Sequence, residues 1–107
     1  MDDLLYGIPQ SAWGKLLAVL FKQPKVKRVI LFGSRAKGSH RPSSDIDLCL
    51  AADGLTLPEK LALDNAIDDL LLPWKVDLAV WGWIDNPALH DHIQRVGIDL
   101  NCQTSRP

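Results

Sequence analysis

The sequence predicts an α/β fold, a single domain in which a small mixed β-sheet is packed with helices. Two kinds of segment alternate along the chain: stretches with apolar residues at helical spacing, and short runs rich in β-branched residues. The 107 residues suffice for one modest core, so we expect one domain over residues 1–107. The composition, 47% hydrophobic and 23% charged, is that of an ordinary globular protein.

The first half of the chain predicts one helix and two strands. Residues 9–22 form the helix, because apolar side chains recur there at i, i+3, i+4, i+7 and i+8, and Pro24 prevents a long continuation. Residues 26–32 form a strand that Gly33 ends, and a glycine-serine turn and a basic loop follow it. Residues 46–50 form the second strand, which we expect to run antiparallel to the first.

A second helix begins at a recognisable cap. Thr56 followed by Glu59 is a capping box, in which each side chain bonds the other residue's backbone amide. The helix is expected to run to about Leu72, where Pro73 stops it. Four of its apolar residues are expected to point inward: Leu63, Ile67, Leu70 and Leu71.

The last third predicts a strand, a helix and a short closing strand. Residues 75–81 form the third strand, parallel to the second because a helix connects them. Asp85 or Asn86 caps a final helix over residues 87–97. Residues 98–100 form the closing strand.

Charge and cysteine content exclude several classes of protein. The net charge of −1 argues against a general nucleic-acid binder. No apolar run approaches the roughly 20 residues that cross a bilayer, and the acidic start at Asp2 and Asp3 is wrong for a secretory signal. Only two cysteines occur, Cys49 and Cys102, and Cys49 lies within a strand as a small packing residue. We therefore expect a cytoplasmic protein with reduced thiols.

Three acids near strand beginnings predict a metal site. Asp45 and Asp47 are one residue apart, so their side chains face the same way, with Cα atoms about 6.6–6.8 Å apart. Asp77 opens the third strand, which is expected to lie beside the second. Three uncompensated carboxylates in a small domain are costly unless a cation is present. Mg²⁺ prefers such oxygen ligands and commonly shares them with substrate phosphates.

The glycine-serine turn and the basic loop predict a phosphate site beside these acids. Backbone donors at Gly33 could meet a phosphate. Seven of the twelve cations lie between Lys22 and Arg41, with no acid among them. Gly33 and Gly38 have the spacing of a Walker A loop, but Ser39 stands where that motif needs lysine, so an ordinary ATPase loop is unsupported.

Taken in order, these motifs resemble those of a known superfamily. Phe32-Gly33-Ser34, ten further residues, Asp45-Ile46-Asp47-Leu48 and then Val76-Asp77-Leu78 are similar to the signature of polymerase-beta-like nucleotidyltransferases. The run from Gly33 to Gly38 and the short length resemble the minimal nucleotidyltransferase (MNT) branch. The resemblance implies the single-domain nucleotidyltransferase fold. It also implies that Gly33 and Ser34 hold the β- and γ-phosphates of ATP, and that Asp45 and Asp47 bind two Mg²⁺ ions.

Further roles follow from the same resemblance. Asp77 would ligate one metal ion and help deprotonate the acceptor hydroxyl, while Arg35 and Lys37 would neutralise charge on the phosphates. This branch often has arginine where Lys37 stands. Lysine keeps the positive charge but cannot make the two parallel hydrogen bonds of a guanidinium.

Other polar residues are interpreted from their positions in the sequence. Ser44 could donate to phosphate or simply shape its turn. His90 and His92, two residues apart on a predicted helix, face different ways and make a poor metal pair.

The resemblance also implies a partner. MNT proteins of this kind accompany a helical HEPN-family toxin, act as its antitoxin, and can transfer AMP to a tyrosine of that toxin. Two alternatives remain open: a non-catalytic nucleotide-binding module that neutralises its partner by binding, and nucleotidyl transfer to a small molecule. No membrane partner is expected.

Overall fold

The computed structural model describes residues 3–100. In chain order the elements are β1 (Leu4–Leu5), β2 (Ile8–Pro9), α1 (Gln10–Phe21), β3 (Arg28–Phe32), α2 (Gly33–Lys37), β4 (Ile46–Ala51), α3 (Leu57–Asp68), β5 (Val76–Val80), a 3₁₀ turn (Trp81–Trp83), α4 (Pro87–Val96) and β6 (Ile98–Asp99). The predicted α/β class and mixed sheet are confirmed. Within residues 3–100 no helix has the length and apolar character needed to cross a membrane.

Four strands form the main sheet, in the order β5-β4-β3-β6. β3 and β4 are antiparallel, with Phe32 opposite Asp47. β4 and β5 are parallel, joined by α3, and Asp47 is paired with Asp77. Both orientations agree with the sequence prediction. β6 is the predicted closing strand and pairs antiparallel with β3.

The core lies on one face of this sheet. Inward residues of β3 and β4 pack with apolar residues of α1 and α3; the central members are Leu16, Leu17, Leu20, Val29, Leu31, Ile46, Leu48, Leu50, Leu63 and Ile67. Because side chains alternate along a strand, Phe32, Asp47 and Asp77 face the opposite side. α4 covers part of that side, since the ring of His92 meets the ring of Phe32 edge-on. The acids therefore lie outside the apolar core.

The cap of α3 is formed as predicted, but the helix is shorter. Thr56 and Glu59 make both bonds of the capping box. The helix ends at Asp68, four residues before the predicted Leu72. Leu71 is 86% exposed and has φ of +55°, so its prediction as an inward residue is wrong. A left-handed residue cannot continue an α-helix, which explains the earlier end.

Two further elements differ from the prediction. Residues 33–37 are helical rather than a loop, and α2 ends at Gly38, where φ is +79° and the Ser39 amide donates to the Ser34 carbonyl (3.0 Å). Glycine reaches this left-handed conformation without steric cost, so the second glycine of the motif closes the helix. The short hairpin of β1 and β2 was not predicted. It turns through Tyr6 and Gly7, both with positive φ, and the Trp13 indole donates to the Leu5 carbonyl (2.8 Å).

Candidate active site

The three predicted acids lie on one face of the sheet. Asp47 in β4 and Asp77 in β5 are register partners in neighbouring parallel strands. Asp45 lies two residues before Asp47, just before β4 begins. Register partners in a sheet face the same way, so the Asp47 and Asp77 carboxylates project to the side that α4 partly covers. Asp45 precedes the strand, and its charge is near enough to raise the pKa of Asp47. Asp45 and Asp77 are exposed and Asp47 is half-buried.

The electrostatics of Asp47 reflect this arrangement. Its pKa is raised above the usual value, first by burial and then by the negative charges of Asp77 and Asp45, while His92 opposes the rise. Lys75 lies 3.8 Å from Asp77, measured from Nζ to Oδ1, but Asp77 remains about half exposed. Lys75 offsets only part of the negative charge, so the carboxylates repel one another. A bound cation would reduce that repulsion.

The chemistry of these ligands suits a hard divalent cation. Carboxylate oxygens are the protein ligands that Mg²⁺ prefers, and Mg²⁺ usually completes its octahedron with water and substrate phosphates. Within residues 3–100 no group of three or more acidic, histidine or cysteine side chains is arranged so that it could hold a metal ion by itself. A metal here would thus depend on oxygens from a bound nucleotide and from water.

Gly33 lies directly beneath the Asp47 carboxylate. Its φ is +76°, and a Cβ added there would collide with Oδ2 of Asp47. Only glycine combines this conformation with so close an approach. The Gly33 amide, predicted as a phosphate donor, donates to Nε2 of His92 at 3.2 Å. His92 is therefore a site residue that sequence reasoning missed, because it comes from α4, far along the chain.

Arg35 has a different environment from the one predicted. The residue is only 1% exposed. Its guanidinium donates to the carbonyls of Tyr6 (2.8 Å), Pro42 (3.2 Å) and Ser44 (2.9 and 3.2 Å). Burial lowers its pKa, although an arginine stays charged. In this structure the donors are thus engaged with backbone carbonyls and the guanidinium is shielded from solvent, while its contact with phosphate stays a prediction.

The remaining predicted phosphate residues surround the turn. Ser34 follows Gly33 in the first turn of α2, and Lys37 is exposed in its last turn. The Ser44 hydroxyl accepts from the Arg41 amide (2.8 Å), so Ser44 shapes the turn before β4, which is one of its two predicted roles. Lys37 is thus the predicted basic residue of α2 whose side chain is exposed to solvent.

Comparison with protein families decides the class of this domain. The model of the family described as polymerase beta nucleotidyltransferases matches residues 14–106. The chain belongs to this family. It is a nucleotidyltransferase, and the matched region includes the glycine turn and all three acids.

Relatives and solved structures agree with this assignment. A Methanocaldococcus jannaschii protein provisionally named protein adenylyltransferase MJ1217 is 34% identical over 77 residues, which cover 71% of this chain and 78% of the relative. A chain of a toxin–antitoxin complex with AMP-PNP is 26% identical, with a TM-score of 0.68, over 81% of this chain and 70% of that one.

Two further solved structures share the fold. A protein provisionally described as a minimal nucleotidyltransferase is 30% identical, with a TM-score of 0.63, over 83% of this chain and 92% of that one. A complex of a tri-AMPylated Shewanella oneidensis HEPN toxin with its MNT antitoxin contains a chain that is 24% identical, with a TM-score of 0.65, over 85% of this chain and 70% of that one. At that identity the likeness shows the fold alone.

Other reactive side chains of this nucleotidyltransferase are explained by packing. Cys49 is fully buried, and burial raises the pKa of its thiol to about 11, so it is a packing residue as predicted. Cys102 lies outside the described residues. The ring of His90 stacks on Trp81, with centroids 4.2 Å apart and planes inclined by 13°. His90 and His92 thus have different neighbours, Trp81 for the first and Phe32 with Gly33 for the second.

Proposed function

We propose that this nucleotidyltransferase transfers AMP from ATP to a hydroxyl of a partner protein, a tyrosine of a helical HEPN-family toxin, and thereby acts as the antitoxin in the cytoplasm. The observation that carries the proposal is the placement of Asp45, Asp47 and Asp77 on one face beside the Gly33 turn. The name of the Methanocaldococcus relative and the toxin–antitoxin complex with AMP-PNP support the same acceptor class and nucleotide.

The proposed roles of the residues follow from their positions across the sheet. Ser34 and the Gly33 turn, at the end of β3, hold the β- and γ-phosphates, with Lys37 nearby as a cation. Asp45 and Asp47, at the start of β4, are the metal ligands, and Asp77 on the edge strand β5 completes the set. Two Mg²⁺ ions, when bound, supply Lewis-acid stabilisation of the charge that develops on the phosphates.

The proposed reaction is a displacement at phosphorus. The acceptor oxygen forms a bond to the α-phosphorus, the bond from that phosphorus to the bridging oxygen of the β-phosphate breaks, and pyrophosphate leaves. Asp77 takes the proton of the acceptor hydroxyl. The acceptor oxygen attacks the α-phosphorus on the side opposite to the leaving pyrophosphate. With the β- and γ-phosphates held near Gly33, the acceptor would therefore approach from the side of Asp77. A single domain over residues 1–107 would thus supply nucleotide and metal sites, and the partner would supply the hydroxyl.

Intact-mass measurement of the partner tests this proposal. The chain is co-expressed with the product of the neighbouring gene, and the partner should gain the mass of at least one AMP. Replacing Asp45 and Asp47 by asparagine should abolish that gain, because the metal ligands are lost while the volume is kept. The expected decrease in transfer is roughly 100-fold or more, since metal stabilisation of developing charge is worth several kcal/mol.

The same experiment distinguishes the two alternatives. If the Asp45→Asn/Asp47→Asn variant still neutralises the partner, and the partner's mass never changes with the wild-type chain, binding alone explains the antitoxin effect. If the purified chain instead consumes ATP with a small hydroxylated acceptor and leaves the partner unmodified, the acceptor is a small molecule.

A further inference from the structure

His92 links α4 to the proposed nucleotide site. Its Nε2 accepts a hydrogen bond from the Gly33 amide at 3.2 Å. Its ring also meets Phe32 edge-on, with centroids 6.2 Å apart and an interplanar angle of 81°. One imidazole therefore contacts both residues at the junction where β3 ends and α2 begins.

This junction also lies directly against Asp47. Phe32 is the register partner of Asp47, and the Asp47 carboxylate lies against the Cα of Gly33, where no Cβ would fit. A rotation of the Gly33 peptide would move backbone atoms that lie against the Asp47 carboxylate. Glycine adopts the φ of +76° at Gly33 without steric cost and can also leave it, and the hydrogen bond to His92 restricts that freedom.

We propose that His92 is a positioning residue of the nucleotidyltransferase site, fixing the Gly33 peptide and, through it, the Asp47 carboxylate. The inference rests on the proposed use of the Gly33 turn and Asp47 for nucleotide and metal. His92 acts through its acceptor nitrogen and its ring contact. It needs no contact with the substrate itself.

His90 provides a matched control on the same helix. It lies two residues before His92 and is likewise half-buried against an aromatic ring, that of Trp81. Its Nε2 lies 3.3 Å from the Trp81 carbonyl, at the end of β5 opposite to Asp77. A histidine-to-phenylalanine change at either position keeps an aromatic ring and removes the imidazole nitrogens, but only the change at His92 affects the Gly33 amide.

Three variants of the full chain test the proposal: His92→Phe, His92→Gln and His90→Phe. Glutamine keeps an acceptor at a similar reach from the helix. Hydrogen exchange of the Gly33 amide, affinity for ATP with Mg²⁺, and kcat and KM for AMP transfer are measured for each. In His92→Phe we expect exchange at Gly33 to accelerate and ATP binding to weaken, each roughly threefold to tenfold, since one neutral hydrogen bond is lost. His92→Gln should restore both to within about twofold, and His90→Phe should match the wild type.

Several results would overturn the proposal. These are an unchanged ATP affinity in His92→Phe, a His92→Gln variant no better than His92→Phe, or an equal loss in His90→Phe, which would indicate a general effect on α4. Failure of the proposed function is separately visible. If the wild-type chain binds ATP but never modifies the partner, the proposed AMP transfer is wrong. The ATP affinities of the three variants then still test the role of His92. If the wild type takes up no nucleotide, both the proposed function and the role of His92 in it are wrong.

Discussion

At the scale of single residues, Asp47 is expected to lower the stability of the metal-free protein. Its pKa is raised above the usual 3.8 by burial and by its acidic neighbours. Below that usual value Asp47 is protonated in both states and carries no penalty. As pH rises through the raised folded pKa, the folded state pays for ionisation and stability falls. Asp47→Asn should therefore melt at a higher temperature than the wild type at pH 7 in the presence of chelator. In a domain of this size, a gain in stability of about 1 kcal/mol raises the melting temperature by roughly 4–8 °C.

The effect of Mg²⁺ and nucleotide on melting gives the matching control. The wild type should be stabilised when both are added, because a ligand that binds only the folded state raises its stability. Asp47→Asn should lose most of that gain. A variant that melts lower than the wild type in chelator would show that Asp47 is a net stabilising group, and the interpretation of its raised pKa would be wrong.

Single contacts between distant side chains of the site were not predictable, whereas a pattern within one segment was. The placement of Asp45 and Asp47 on one face follows from their spacing, because strand side chains alternate. The contact between Gly33 and His92 spans 59 residues, and only the folding of α4 over β3 creates it. No local signal distinguishes His92 from His90, so the prediction could not select it.

At the scale of elements, the capping box of α3 should make stability depend on acidic pH. The Lys25 ammonium bonds the Glu59 carboxylate at 2.8 Å, and with the Thr56 backbone bond it lowers the pKa of Glu59 from the usual 4.5 to about 2. A depressed folded pKa contributes stability that is fully present above the unfolded value and is lost as pH falls from about 4.5 toward about 2. Glu59→Gln should flatten this part of the pH profile in urea unfolding.

Lys25→Met isolates the largest cause of that shift. With the ammonium removed and the backbone bond to Thr56 kept, the pH dependence should become smaller but not vanish. If the Lys25→Met and wild-type profiles coincide, the ion pair contributes nothing and the backbone bond alone holds the carboxylate. Both variants should leave nucleotide affinity unchanged, since α3 begins on the face away from the acids.

Element boundaries show where sequence patterns succeed and fail. The start of α3 was predictable because capping chemistry is confined to four consecutive residues. Its end was not, because Leu70 and Leu71 continue the apolar pattern while the backbone has already left the helix at Asp68. α2 was predicted as a loop because five residues are too few for a periodicity signal. The two-residue strands β1 and β2 fail to give a pattern for the same reason.

At the scale of the whole molecule, strand order follows from connection chemistry. The short connection between β3 and β4 permits antiparallel pairing, and the longer helix between β4 and β5 favours a parallel crossover. Those two rules suffice to bring Asp77 beside Asp47, as observed. They say nothing about which polar groups hold the N-terminal hairpin and the loop before β4 in place, because those contacts depend on a single buried side chain.

That side chain is Arg35, which joins α2 to the hairpin turn and to the loop before β4. Its guanidinium bonds carbonyls of the hairpin turn at Tyr6 and of the loop at Pro42 and Ser44. A Cβ at Gly7 would lie 2.7 Å from its Nη1, so the turn packs directly on the charge. Arg35 therefore maintains the loop that leads into Asp45 and Asp47, and its influence on the site is indirect.

Arg35→Lys should consequently destabilise the whole domain. A lysine ammonium is a point charge that cannot span these carbonyls, and unsatisfied buried acceptors beside a buried charge should cost about 3 kcal/mol in urea unfolding. Lys37→Met, on the exposed side of α2, should leave the free energy of unfolding unchanged and weaken nucleotide binding. If Arg35→Lys instead unfolds like the wild type and loses only nucleotide affinity, Arg35 reaches the phosphates in solution. Its predicted contact with nucleotide would then be correct, and its structural role would be wrong.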